Sequence, residues 1–323
     1  MKRKLLALLM SGLAIVLLMG AGVDNAALAA QALTSSIRTE EPAAPVEKPV
    51  DRIETEPDSS QEETTTEAPK EELDHCLLVD GQPVPATAAR TIIDDKTYVS
   101  LKVMSQQLDT TAQVGWDAEN NAGWVTTEKL FLSAQVGKKY LLANGRYLYM
   151  PGSVILSEEG QVMVALDALV EAFDGQLTWD AENATCIVTR GSGALESADT
   201  YYNEEDLFWL SRVIYAESGN QVLEGKMGVG IVVLNRANHP ATTWPDTVKG
   251  VISQRNQFST YKKGALAKRT PNAESVIAAK LVLDGGIVEE VKDAYFFDAF
   301  RNNSWAARHK TVLAVIGGHR FYG

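Results

Sequence analysis

Two stretches in the middle of this chain spell nearly the same pattern about 65 residues apart, and that repeat limits the fold more than any other feature. Tyr98-Val99-Ser100-Leu101 opens a stretch ending Gly115-Trp116-Asp117-Ala118-Glu119-Asn120. Met163-Val164-Ala165-Leu166 opens another, ending Thr178-Trp179-Asp180-Ala181-Glu182-Asn183. Between these marks each copy carries a short helical pattern, Lys102–Leu108 and Asp167–Phe173. After a turn at Glu-Asn each copy closes with an apolar strand, Ala122–Thr126 or Thr185–Thr189. The predicted unit is strand, helix, strand, turn, strand. Two such units make a small α+β domain over residues 75–191. Trp116 and Trp179, at equivalent places, are expected to fill the two half-cores, with stacking on sugar rings as the alternative.

The flanks of this domain differ sharply in composition. Lys2, Arg3 and Lys4 precede the apolar run Leu5 to Met19, and Ala27-Leu28-Ala29 supplies small residues for cleavage. Residues 1–30 therefore read as an export signal, with an uncleaved anchor as the less favoured reading. No cysteine stands near the cleavage site, which argues against lipidation. Residues 31–74 are rich in Glu, Thr, Pro and Ala and read as a disordered, extended spacer. Residues 39–74 hold 13 Asp/Glu against 3 Lys/Arg, residues 75–199 hold 16 against 8, and residues 200–323 hold 12 against 15. The last segment is thus mildly basic and suited to an anionic polymer, but no basic stripe interleaved with aromatics suggests nucleic acid. The two cysteines, Cys76 and Cys186, fall near the first and last strands of the middle domain. A disulfide and two buried free thiols both stay open, because spacing does not decide geometry.

Gly191-Ser192-Gly193 marks a boundary, and residues 200–323 read as a second folded unit. Asn203 followed by Glu204, Glu205 and Asp206 is an N-cap with acids in the first turn. Leu207, Leu210 and Ile214 then follow one face of a helix, and Glu217 continues that stripe. Burial and the negative end of the helix, stopped at Gly219, would both raise a carboxyl pKa there. A glutamic acid that keeps its proton suits general-acid chemistry. A frayed last turn with Glu217 in water is the competing reading. Glu224–Ala237 is apolar almost all round and should be the central helix, with Gly225, Gly228 and Gly230 allowing close backbone approach. Segments 246–253 and 272–284 also read as helices, and Tyr295-Phe296-Phe297 as a short strand or aromatic turn.

Two family resemblances follow from these residues. Residues 76–190, through their Tyr-Val-Ser-Leu and Trp-Asp-Ala-Glu-Asn marks, resemble the copper amine oxidase N-terminal-like domain of exported bacterial proteins. No copper is expected, since His75 is the segment's one histidine and a copper site needs several imidazoles. The run Leu210-Ser211-Arg212-Val213-Ile214-Tyr215-Ala216-Glu217, then Glu224-Gly225-Lys226 and Val232-Val233-Leu234-Asn235-Arg236, resembles the SleB-type cell wall hydrolases, or spore-cortex-lytic enzymes. The marks Val248-Lys249-Gly250-Val251-Ile252, Asn256-Gln257-Phe258-Ser259, Asp293-Ala294-Tyr295-Phe296-Phe297 and Ile316-Gly317-Gly318-His319-Arg320-Phe321-Tyr322 extend that resemblance over nearly all of residues 204–323.

The second resemblance implies a mainly α, lysozyme-like catalytic domain acting on peptidoglycan glycan strands, with Glu217 as catalytic acid. It also implies Gln257 and Phe258 near the cleft, for amide hydrogen bonding and sugar stacking, with core packing of Phe258 equally open. Tyr295 and His319 are weaker substrate-binding candidates. Asn235 and Arg236 are expected to fix helix-to-loop geometry rather than touch substrate. Family members often carry an acid three residues past the catalytic one. Here that residue is Asn220, which leaves one local carboxylate and favours a lytic transglycosylase, in which the muramic acid supplies its own nucleophile, over a paired-carboxylate hydrolase. The expectations are completed by no cofactor, a monomer, and a wall or protein contact through the middle domain. A secreted, wall-associated, periplasmic or spore-envelope location fits the export signal. Two alternatives stand beside this reading: a zinc N-acetylmuramoyl-L-alanine amidase using His239, His309 and His319, whose spacing matches no zinc pattern, and a non-catalytic wall-binding protein.

Overall fold

The computed structural model describes residues 73–323 apart from Ala89, residues 241–243 and Asn302. The expected export signal, and all but the last two residues of the expected spacer, lie outside the described residues. Everything described belongs to one compact unit, Thr66–Gly323.

The middle domain runs β1 (Leu73–Val79), β2 (Gln82–Pro85), β3 (Thr91–Ile93), β4 (Lys96–Ser100), α1 (Leu101–Leu108), β5 (Gln113–Asp117) and β6 (Ala122–Thr126). It continues with β7 (Phe131–Gln135), β8 (Tyr140–Ala143), β9 (Arg146–Tyr149), β10 (Ile155–Leu156), β11 (Val162–Ala165), α2 (Leu166–Ala172), β12 (Gln176–Asp180) and β13 (Thr185–Thr189). Both copies of the repeat thus fold as the sequence pattern predicts. At the centre β4 and β11 pair antiparallel, Tyr98 opposite Ala165, Val99 opposite Val164 and Ser100 opposite Met163. Val99 and Val164 hold the same place in the two copies, so a local two-fold axis passes between them. The hairpin of each copy then joins a different sheet. β5-β6 is extended through β7, β8 and β9, whereas β12-β13 receives β1 in parallel and then β2.

The Trp-Asp-Ala-Glu-Asn marks are turn-forming. Asp117 Oδ1 accepts from the Glu119 and Asn120 amides at 3.0 and 3.1 Å, and Asn120 Nδ2 donates to Asp117 Oδ2 at 2.7 Å. Asp180 repeats this with Glu182 and Asn183 at 3.0, 3.2 and 2.7 Å. The tryptophans beside them do not fill half-cores: Trp116 is 44% and Trp179 58% exposed. The reason is their place on β5 and β12, the edge strands of their sheets. The core is built instead from central strands and the two helices, with Leu77, Val125, Leu132 and Val188 fully buried beside Met104 and Leu169. Cys76 and Cys186 are both free thiols. Leu77 is the register partner of Cys186 in the parallel β1–β13 pair, so Cys76 faces the opposite side of the sheet.

The second domain starts with α3 (Ala198–Tyr201) and packs α4 (Glu204–Ser218), α5 (Leu223–Ala237), α6 (Val248–Ser253) and α7 (Ala273–Leu283) around one core. A three-stranded sheet completes it, made from β14 (Phe296–Asp298), β15 (Val312–Ile316) and β16 (His319–Tyr322), with α8 (Trp305–His309) between β14 and β15. Asn203 caps α4 by accepting from the Asp206 amide at 3.0 Å. Leu210, Val213 and Ile214 of α4 are fully buried, each contributing about 1.5–3 kcal/mol. The central helix is α5. A Cβ on Gly228 would lie 2.6 Å from the Phe321 ring, and one on Gly230 would lie 2.9 Å from Val282, so these glycines admit β16 and α7. Among the described residues no helix is long and apolar enough to cross a membrane.

The β8–β9 hairpin joins the two domains. Tyr140, Tyr147 and Tyr149 pack against the second core. Arg146 Nε donates to Asp284 Oδ1 at 2.6 Å, and Tyr202 donates to the other oxygen. The Arg146 guanidinium also lies 3.4 Å from the centre of the Tyr201 ring. Both members of the ion pair are buried, at 9% and 1% side-chain exposure. Replacing one partner strands the other without water. Asp284→Ala is therefore expected to lower the unfolding free energy by about 3–5 kcal/mol, read by urea denaturation. A loss below about 1 kcal/mol, the range of surface pairs, would show that this pair does not hold the interface.

Candidate active site

Glu217 sits in the last turn of α4, half-buried rather than sealed, where the amphipathic stripe meets a cleft. The cleft holds about 720 Å³ and is bordered by α5, the 256–259 loop, β14, α8 and β16. Thr260, on the turn Ser259–Gly264, donates its hydroxyl to Glu217 Oε1 at 2.9 Å. One carboxyl oxygen is thereby oriented, and the other is left for a ligand. A carboxyl held in this way can give and take a proton at a single point in the cleft.

Among the described residues two carboxylates line this cleft, Glu217 and Asp298. Asp298 is consumed by its neighbours. Arg320 lies opposite it across the β14–β16 pair and donates to both oxygens at 3.1 and 3.3 Å. Tyr322 donates to Oδ2 at 2.8 Å, and the Ser304 hydroxyl donates to the same oxygen. Burial works against its charge, yet these bonds outweigh it and hold the carboxyl below the usual carboxylate range. Asp298 therefore braces the wall, while Glu217 remains the one open carboxyl among the described cleft residues.

The remaining sequence-predicted residues separate. His319 opens β16, lines the cleft and is 4% exposed. Burial lowers its pKa, outweighing the opposing influence of the nearby Glu217 main chain and of the Asp298 charge, and its Nδ1 is buried with no hydrogen-bond partner among the described residues. Gln257 is exposed on the lining and accepts from Arg236 Nη1 at 3.0 Å. Phe258 borders the cleft but is 5% exposed and belongs to the core, which leaves little face for stacking. Tyr295 lies outside the lining, stacked on Trp244 at 5.3 Å beside His239. Asn235 fixes geometry as expected, donating to the Lys292 and Ala294 carbonyls at 2.7 and 2.9 Å.

Thr260 and Trp305 have no distinguishing signal in the sequence. Trp305 is 52% exposed on the cleft rim, with His309 stacked on it at 4.9 Å. The three histidines of the amidase alternative are engaged separately. Among the described residues no three His, Cys, Asp or Glu side chains are grouped to hold a metal.

Residues 220–322 match the family model described as Cell Wall Hydrolase. The C-terminal domain thus matches the cell wall hydrolase family over most of its length. Glu217 lies just before the matched residues. Residues 78–188 match the Copper amine oxidase N-terminal domain, but with His75 the one histidine near it, this domain does not fit a copper site. The cell wall hydrolase region is similar to the spore cortex-lytic enzyme of Oceanobacillus iheyensis, 32% identical over 122 residues, or 37% of this chain and 42% of that protein. The spore cortex-lytic enzyme of Halalkalibacterium halodurans is 28% identical over 120 residues, 37% of this chain and 35% of that protein. The chain thus matches about two fifths of the length of these curated relatives. Among solved structures, the catalytic domain of the germination-specific lytic transglycosylase SleB from Bacillus anthracis is 25% identical with a TM-score of 0.34, covering 38% of this chain and 98% of that one. The catalytic domain of the Bacillus cereus SleB protein gives 25% and 0.34, with 38% and 94% covered.

Two outcomes test this geometry. Thr260→Val frees the Glu217 carboxyl from its orienting bond, which should slow loss of turbidity of a wall suspension about tenfold with an unchanged melting midpoint. Thr260→Ser should restore the rate. His319 is held neutral by burial, so below its ordinary pKa of about 6.5 the unfolded chain takes up a proton that the fold refuses. Stability should therefore fall as pH drops through that value, and the difference between wild type and His319→Gln in pH-dependent melting isolates this contribution.

Proposed function

We propose that the chain cleaves the glycan backbone of peptidoglycan as a lytic transglycosylase, with Glu217 as its acid and base. The observation that carries this reading is one open carboxyl in a cleft whose second carboxylate is fully bonded to Arg320, Tyr322 and Ser304. Paired-carboxylate glycosidases need two free groups flanking the bond. With one, the chemistry closes if the substrate provides the nucleophile.

In the proposed reaction Glu217 protonates the oxygen joining N-acetylmuramic acid to N-acetylglucosamine. The C6 hydroxyl of the muramic acid attacks its own anomeric carbon as that bond breaks, and the ionised Glu217 takes up the hydroxyl proton. The product is a 1,6-anhydro sugar, with no water consumed. Its intramolecular nucleophile is favoured by proximity. Gln257, His319 and the exposed face of Trp305 border the same space and are assigned to substrate contact.

The matched spore cortex-lytic enzymes support a peptidoglycan substrate, and cortex is the substrate their name designates. Export through residues 1–30, action at the wall or spore envelope, and a monomeric state belong to the same proposal. Trp116 and Trp179, exposed at equivalent places, give the middle domain two aromatic surfaces for a wall or protein contact.

Glu217→Gln keeps the size of the side chain and its bond to Thr260 but removes the proton donor. Lysis of isolated walls should fall at least about a hundredfold, with the fold retained by circular dichroism. Mass spectrometry of the wild-type digest should find muropeptides one water lighter than their hydrolysed counterparts. Reducing-end muramic acid as the sole product would make the enzyme a hydrolase, and wild-type lysis by the variant would remove Glu217 from the reaction.

A further inference from the structure

Arg236 is a buried cation without an anionic partner. It is 5% exposed, on the last turn of α5, and it lines the Glu217 cleft. No carboxylate among the described residues pairs with it. Its Nε donates to the Tyr295 carbonyl at 2.7 Å and its Nη1 to Gln257 Oε1 at 3.0 Å, both neutral acceptors. The Phe296 ring centre lies 5.1 Å from the guanidinium carbon, and those of Trp244 and Phe258 lie at 5.8 Å. Desolvation lowers its pKa to about 10. Buried charges in proteins are nearly always paired, because an unpaired one forfeits its hydration.

The bonds that Arg236 does make fix what the cleft presents. Guanidinium nitrogens only donate, so the Gln257 amide must turn its oxygen toward Arg236. The amide NH₂ of Gln257 then has no protein acceptor among the described residues and stands on the cleft lining. Nη2 of Arg236 likewise makes no hydrogen bond among the described residues. Two donor groups on residues that line the cleft, one of them charged, thus make no hydrogen bond among the described residues. Arg301, exposed on the same lining, adds a second positive charge. A carboxylate fits such a pair of donors better than any neutral acceptor does.

We propose that Arg236 and Gln257 form a subsite for the lactyl carboxylate of a muramic acid that carries no peptide. The inference rests on the proposed glycan-cleaving reading of this cleft, and it gives Arg236 a substrate contact beyond bracing the α5–β14 connection. The subsite distinguishes muramic acid from N-acetylglucosamine, since the latter has no such acid, and so sets which sugar lies beside Glu217. The ligand completes the charge pair that the fold leaves open.

The test uses the full chain and peptide-free glycan strands, with the lactyl groups either as free acids or converted to methylamides. Binding of both strands to the Glu217→Gln protein is measured by titration calorimetry at low and at raised salt. The acid form should bind about tenfold tighter, with the preference shrinking as salt rises. Arg236→Gln, if it keeps the wild-type melting midpoint, should bind both forms alike, while Arg236→Lys keeps part of the difference. Equal binding of acid and amide strands by the Arg236-containing protein overturns the proposal, whether or not the variants fold. Cleavage of the same strands by the wild-type chain is followed in parallel. Failure to cleave either form would reject the glycan-cleaving reading, whereas cleavage of both with equal affinity would reject the carboxylate subsite alone.

Discussion

The saturation of Asp298 is the interaction on which the rest of the cleft depends. Arg320 reaches it across the β14–β16 ladder, Tyr322 from the same strand, and Ser304 from the cap of α8. One carboxylate thereby fastens three elements and holds the wall facing Glu217. Its charge is compensated in place by these donors, which makes it a structural group of the cleft wall. The single open carboxyl of the site follows from that commitment.

Around this wall, α4 and α5 fix the other side. The fully buried Leu210, Val213 and Ile214 set the rotation of α4, and this rotation brings Glu217 to the cleft edge. Thr260 then selects which carboxyl oxygen is free, and His319 borders the cleft from β16. Each contact is modest by itself. Together they place one open carboxyl oxygen between a basic, donor-rich side at Arg236 and Gln257 and an aromatic rim at Trp305.

The middle domain obeys a separate constraint. Its two sequence copies meet at Val99 and Val164, where a two-fold axis is the arrangement in which identical strands pair antiparallel. One copy then extends its hairpin through β7, β8 and β9, and this extension carries Tyr140, Arg146, Tyr147 and Tyr149 onto the second domain. Exact symmetry would have left no such surface. The departure from the repeat is what joins the domains.

The sequence by itself determined the elements and their order. Periodicity and turn chemistry act over a few residues, so the helices at 101–108, 166–172, 204–218 and 223–237 and the paired Asp-Asn turns were legible within about one to three residues at their ends. The placement of Glu217 on an amphipathic face was legible for the same reason. Burial of particular side chains was not. Trp116 and Trp179 looked like core residues until their strands proved to be sheet edges, and Cys76 and Cys186 could be judged only once register put them on opposite faces. Thr260, Asp298 and the unpaired charge of Arg236 lie 43, 81 and 19 residues from Glu217 along the chain. Only tertiary packing decided that they share its cleft, because hydrogen bonding and desolvation depend on distance in space, which no local pattern encodes.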